Sequence, residues 1–114
     1  MLRLLPLSPI PADTARVAAA TIPEGNTCLR LRSFLGTISR DEQSASLFPR
    51  RGQPVATPWR LALVTIMQFA ERLSDRDAAD AVRTRIDWKY LLGLDLTDSG
   101  FHYSILSRFL RAAS

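Results

Sequence analysis

Cysteine, histidine and lysine each occur once in this 114-residue chain, as Cys28, His102 and Lys89. A lone cysteine closes no internal disulfide, which fits a reducing compartment, and one Cys with one His makes no zinc set. The five glycines form no phosphate-cradling loop. No long hydrophobic run exists either. The longest, "WRLALVTIMQFA", carries Arg60 and Gln68 and falls far short of the roughly 20 apolar residues that cross a bilayer. Near the amino terminus a leucine cluster is cut by Pro6, Pro9 and Pro11 before a signal-peptide core can build. Runs of strand periodicity are missing as well. These absences predict a soluble, cytoplasmic, all-α chain with no membrane partner.

What is present is arginine. Cationic side chains number 15 against 11 acids, and all but Lys89 are Arg, whose planar fork suits phosphates and base edges. A net charge of +4 alone is shared by many solvated domains, so it tilts toward nucleic acid without deciding the matter. With 46% hydrophobic residues the chain supports one modest core and one domain.

Along the chain, residues 1–12 read as an extended, flexible leader, 13–48 as a first helical part, 49–57 as a loop and 58–114 as the main helical core. Asp13 is placed to cap a short helix through Ala20, and "PEGNTCLRLRSFLG" suggests a helix with Pro23 early and Gly36 as its stop. A proline-punctuated connection follows, with one helical turn expected around Asp41–Leu47. Thr57 and Pro58 then mark a helix start, and "WRLALVTIMQFAERL" is apolar on nearly all sides, with Thr65, Gln68 and Arg72 as its wet edge. Ser74 caps the next helix, "SDRDAADAVRTRIDW", with Asp75 and Asp77 in its first turn and Ala79, Val82 and Ile86 inward. These two helices resemble a helix-turn-helix pair. "DWKYLLG" adds a turn ending at Gly93, and "FHYSILSRFLRAA" closes with Ile105, Leu106, Phe109 and Leu110 inward. The expected fold is a small domain of four to five helices. Its predicted core is Leu61, Leu63, Val64, Ile66, Met67, Phe69, Val82, Ile86, Leu91, Leu92, Leu106 and Phe109, and truncating a buried Phe69 to alanine would cost about 3–5 kcal/mol.

Catalytic chemistry needs convergent groups, and His102 has no matching partner; it reads as a helix-start residue. Asp75, Asp77 and Asp80 sit where caps and dipole partners explain them better than a metal does. The chain is expected to be no enzyme, to need no cofactor and to take no small-molecule substrate. Among the cations, those without an acid three or four residues away rank first as DNA contacts, since a paired cation must give up its partner before meeting phosphate. Arg50 and Arg51, in a Gly/Pro loop, lead; Ser104, Ser107, Arg108 and Arg111 on one face of the last helix follow. Arg76, Arg83, Arg85 and Lys89 come last, Arg76 and Arg83 being laced with Asp80 and Asp87 in a salt-bridge ladder.

The order and spacing of the "RGQP" loop, "LSDRDAADAVR", "RIDWKYLLGLDL" and "HYSILSRF" resembles the amino-terminal domain of bacterial insertion-sequence transposases, the group with an InsH-like N-terminal region. The likeness runs from about residue 10 through most of the chain. It implies a helical region that binds the terminal inverted repeats of its element as double-stranded DNA, and that in complete transposases precedes a ribonuclease-H-like domain whose carboxylate triad holds divalent metal. On that resemblance the chain is expected to be a truncated, non-catalytic fragment. Where the family's last helix tends to read Ser, an acid, Phe, Arg, this chain has Ser107, Arg108, Phe109, Leu110. Two alternatives stand beside DNA binding: a module that self-associates or docks on, and inhibits, full-length transposase, or a relic with no function.

Overall fold

A computed structural model describes residues 7–40 and 56–113, and all six elements among them are helices. They are α1 (Ala12–Thr21), α2 (Thr27–Arg40), α3 (Pro58–Glu71), α4 (Asp75–Thr84), α5 (Ile86–Leu92) and α6 (Tyr103–Ala113). The all-α class is as the periodicity predicts. The expected turn around Asp41–Leu47 and the loop arginines lie outside the described residues.

Helix starts follow local chemistry. Asn26 begins α2 by accepting the Leu29 N–H at 3.1 Å, and Ser74 begins α4 by accepting the Asp77 N–H at 3.0 Å. Thr57 holds the position before α3 with Pro58 behind it, but its hydroxyl makes no cap bond. Asp13 lies inside the first turn of α1, paired with Arg16 at 2.7 Å, while Pro11 occupies the cap position. Gly36 does not stop α2, which continues to Arg40; an interior glycine costs only about 1 kcal/mol against alanine. The segment expected to be one helix through Trp88 breaks at Arg85, whose extended backbone (φ −104, ψ 129) ends α4 and starts α5.

The short α5 is the hub. It packs on α1, α2, α3 and α4, while α6 packs on α3 and α4. Its Trp88 is 0% exposed, at the centre of a core with Cys28, Val64, Met67, Val82, Leu91, Leu92 and Leu106. Sealing one tryptophan of about 200 Å² from water is worth about 5 kcal/mol before entropic costs. Two predicted core residues face solvent instead: Ile66 is 53% and Phe69 70% exposed, so the large truncation cost expected at Phe69 does not apply. Ile86 and Phe109 are half-buried.

The carboxyl end of α5 is fastened by charge. Gly93 adopts φ 67, and the Gly93 and Leu94 N–H groups turn back to the Tyr90 and Lys89 carbonyls at 3.3 and 2.9 Å. The remaining carbonyls take buried arginines: Arg32 Nη1 donates to Leu91 O at 2.9 Å and Arg60 Nε to Leu92 O at 2.9 Å, where the negative end of the helix dipole favours cations. Both arginines also hold Ser8, through its carbonyl (2.5 Å) and its hydroxyl (3.0 Å), so Ser8 of the expected leader is buried. Burial lowers Arg32 to about 10 and depresses Arg60 too, and both stay charged at neutral pH.

Candidate nucleic-acid interface

Most side chains singled out in the sequence are engaged with the protein itself. Arg85 bridges three elements: it donates to Glu71 of α3 at 2.5 and 3.3 Å and to Asp87 of α5 at 3.1 and 2.7 Å, with its guanidinium carbon 5.5 Å from the Trp88 ring centre. The Glu71 hydrogen bonds, foremost, drive its pKa upward. Asp87 is buried, and it also accepts from Asn26 Nδ2 at 3.0 Å and from the Trp88 N–H at 2.9 Å. This knot ties the start of α2 to α3 and α5. Beside it, Cys28 is pushed up to about 12, by burial first and then by the Asp87 charge, and stays a neutral thiol.

Lys89, ranked last as a DNA contact, is 4% exposed and donates to Asp98 O at 2.6 Å; burial lowers its pKa. Gln68, expected on a wet edge, is buried and donates to Asp75 Oδ1 at 2.7 Å. Ser107 donates to Asp75 Oδ2 at 2.7 Å, so Asp75 joins α3, α4 and α6, and the Ser107 bond followed by the Gln68 bond holds its carboxyl below the usual range. Arg83 pairs with Asp80, both exposed. Arg76 donates to Tyr103 Oη at 3.1 Å and lies 4.6 Å from that ring's centre, at the seam between α4 and α6. His102 starts α6, as its neighbours in sequence suggest: its Nδ1 accepts the Ser104 N–H at 3.1 Å and lies 2.9 Å from Ser104 Oγ.

Two of the named residues remain unengaged. Arg108 and Arg111 are exposed and make no bond or ion pair with any described residue. At about 100° per residue, Ser104, Arg108 and Arg111 project within roughly 40° of the direction opposite the buried Leu106. Arg30 of α2 and Arg72 after α3 share this unpaired, exposed state. The same test, no acid three or four residues away, would have found Arg30 in the sequence had it been applied to α2. Arg50 and Arg51 lie outside the described residues. Among the described residues no three His, Cys, Asp or Glu side chains come together as a metal set, and no helix is long and apolar enough to cross a membrane.

The class so defined is a small all-α domain, with Glu71, Asp75 and Asp87 drawn into internal ties and α6 left with unpaired arginines. The family model described as Transposase domain (DUF772) matches residues 16–112, and the chain belongs to that family; its role is transposition-related. Neither the curated proteins nor the solved structures compared with the chain gave a match.

Proposed function

We propose that this domain binds double-stranded DNA at the terminal inverted repeats of an insertion element, with the outer face of α6 as its principal contact. The observation that supports it is the pair Arg108 and Arg111, exposed on one helix face and unpaired among the described residues. A guanidinium without a carboxylate partner meets a phosphate, or a guanine edge in the major groove, with no competing bond to break. Arg76, at the seam between α4 and α6, and Arg83, exposed on α4, are secondary candidates because each already has a partner, and Arg50 and Arg51 remain loop contacts on sequence grounds. Arg85 and Lys89 are left out, because using them would dismantle internal bonds.

Recognition rather than strand chemistry is the proposed task. Glu71, Asp75 and Asp87 are each committed to holding helices together, and Asp80 to Arg83. An anisotropy titration of the chain against a duplex of the element's terminal repeat and a scrambled duplex, over a series of salt concentrations, tests this. Tighter binding to the repeat with affinity falling steeply as salt rises is expected; equal binding to both duplexes, or affinity indifferent to salt, refutes it.

A further inference from the structure

Arg72 occupies a backbone geometry that does not suit it. It ends α3 at φ 60, ψ 48, and among the described residues no other non-glycine residue has a positive φ. Gly93 ends α5 in nearly the same geometry, at φ 67, ψ 43. A Cβ is penalised in this left-handed region, and helix ends of this form favour glycine or asparagine. The side chain at 72 is exposed, which explains why one is tolerated there but gives no reason for arginine. The negative end of the α3 dipole favours a cation, yet that effect is screened by salt and works against the backbone penalty. An arginine kept at a strained position, with its guanidinium unpaired among the described residues, argues for a partner outside the domain.

Arg30 shares that exposed, unpaired state and is brought toward Arg72 by the fold. Asn26, at the start of α2, donates to Asp87, and Arg85 joins Asp87 to Glu71 at the end of α3. Arg72 follows Glu71 directly. Arg30 stands one turn along α2 from Asn26, its N–H bonded to the Asn26 carbonyl at 2.9 Å. At about 100° per residue it projects about 160° away from the buried Cys28, out of the core. The acids of this region are already spent: Glu71 and Asp87 on Arg85, and Asp75, three residues after Arg72, on Gln68 and Ser107. Because Ser107 belongs to α6, the turn that carries Arg72 also borders that helix.

We propose that Arg30 and Arg72 form a second contact with DNA, each meeting a backbone phosphate, beside the contact made by α6. This rests on the DNA-binding reading above and extends it to another face. The two guanidiniums stand on a turn and on the outside of a neighbouring helix, at a spacing fixed by the Arg85 tie, instead of following one exposed helix face. Such a placement suits repeating phosphates better than the edges of successive bases, so the pair strengthens binding without reading sequence.

Arg30→Ala/Arg72→Gly tests this in the anisotropy titration, on the terminal-repeat and scrambled duplexes across salt. Neither substitution removes an internal bond, and glycine relieves the left-handed backbone, so the double variant should resist urea at least as well as the parent. Its slope of log affinity against log salt should shrink by about 1.8 units, alike on both duplexes, leaving the preference for the repeat intact. Combined with Arg108→Ala/Arg111→Ala, the losses should add to about 3.6 units. Arg30→Lys/Arg72→Lys should keep the parental slope, since a phosphate accepts either cation. A folded Arg30→Ala/Arg72→Gly protein with parental slope and affinity overturns the inference and leaves binding through α6 standing. A loss confined to the repeat, or a lysine pair that loses slope as the neutral pair does, also overturns it. A parent chain whose affinity for DNA is indifferent to salt overturns both readings.

Discussion

Replacing Arg85 with alanine separates a cation that serves DNA from one that serves the fold. Two losses add. The fork to Glu71 joins side chains that are each about a third exposed, and such a pair contributes about 0.5–1 kcal/mol once screening and side-chain entropy are counted. The fork to Asp87 matters more, because that carboxylate is buried and would keep only the Asn26 amide and the Trp88 N–H. Losing hydrogen bonds from a charged donor to a buried acceptor costs about 1.5–3 kcal/mol, and the lost cation–π contact with Trp88 adds about 0.5 kcal/mol. The total is about 3 kcal/mol, a large fraction of the 5–15 kcal/mol that holds an ordinary domain together. Urea unfolding followed by circular dichroism reads it directly. Arg83→Ala is the control, since its pair with Asp80 is exposed and should cost less than about 0.5 kcal/mol. An Arg85→Ala protein as stable as its parent, and binding DNA with a shallower salt dependence, would refute the reasoning.

Gly93→Ala should cost about 3 kcal/mol in the same assay: its left-handed φ of 67 penalises any side chain by about 1–2 kcal/mol, and a Cβ there would stand 3.0 Å from the Ser8 carbonyl oxygen. Gly36→Ala, where a Cβ meets nothing within 4 Å, should instead be neutral or stabilise the protein by up to about 1 kcal/mol. Ser107→Ala should cost about 1 kcal/mol at neutral pH. Because the bond holds Asp75's folded pKa below its unfolded one, that stability is present above the unfolded value and is lost as pH falls through the folded value, so parent and variant should converge in acid. Phe69→Ala, measured at micromolar chain, should cost less than about 1 kcal/mol, and a loss of 3 kcal/mol would mean the ring is buried after all.

The helical class, the start of α4 at Ser74 and the end of α5 at Gly93 were legible in the sequence, because each depends on neighbours within one turn. Which face of α3 points inward was not. Its apolar residues run nearly all round, so periodicity carries no direction, and Ile66 and Phe69 went to the wrong side while Gln68 went inward to meet Asp75. Buried cations were hidden for a different reason. Arg32, Arg60 and Lys89 are tied to backbone carbonyls of Leu91, Leu92 and Asp98, acceptors that every residue possesses and no pattern of side chains reveals. Arg85 ranked with the cations of α4 only as long as that helix was read through it, and its partners Glu71 and Asp87 both lie outside α4. For the candidate interface, the absence of an acid three or four residues away did pick out Arg108 and Arg111, and the rule failed for Ser107, whose partner Asp75 lies 32 positions earlier on another helix.

Binding led by the outer face of α6 is tested most directly by the salt dependence of affinity for the terminal-repeat duplex, compared between the parent chain and Arg108→Ala/Arg111→Ala. Both side chains are exposed and unpaired among the described residues, so the double variant should fold as its parent does. If each arginine neutralises one phosphate, the slope of log affinity against log salt should shrink by about 1.8 units, with weaker binding at low salt. An unchanged slope and affinity in a correctly folded double variant would contradict α6 as the DNA-contacting element.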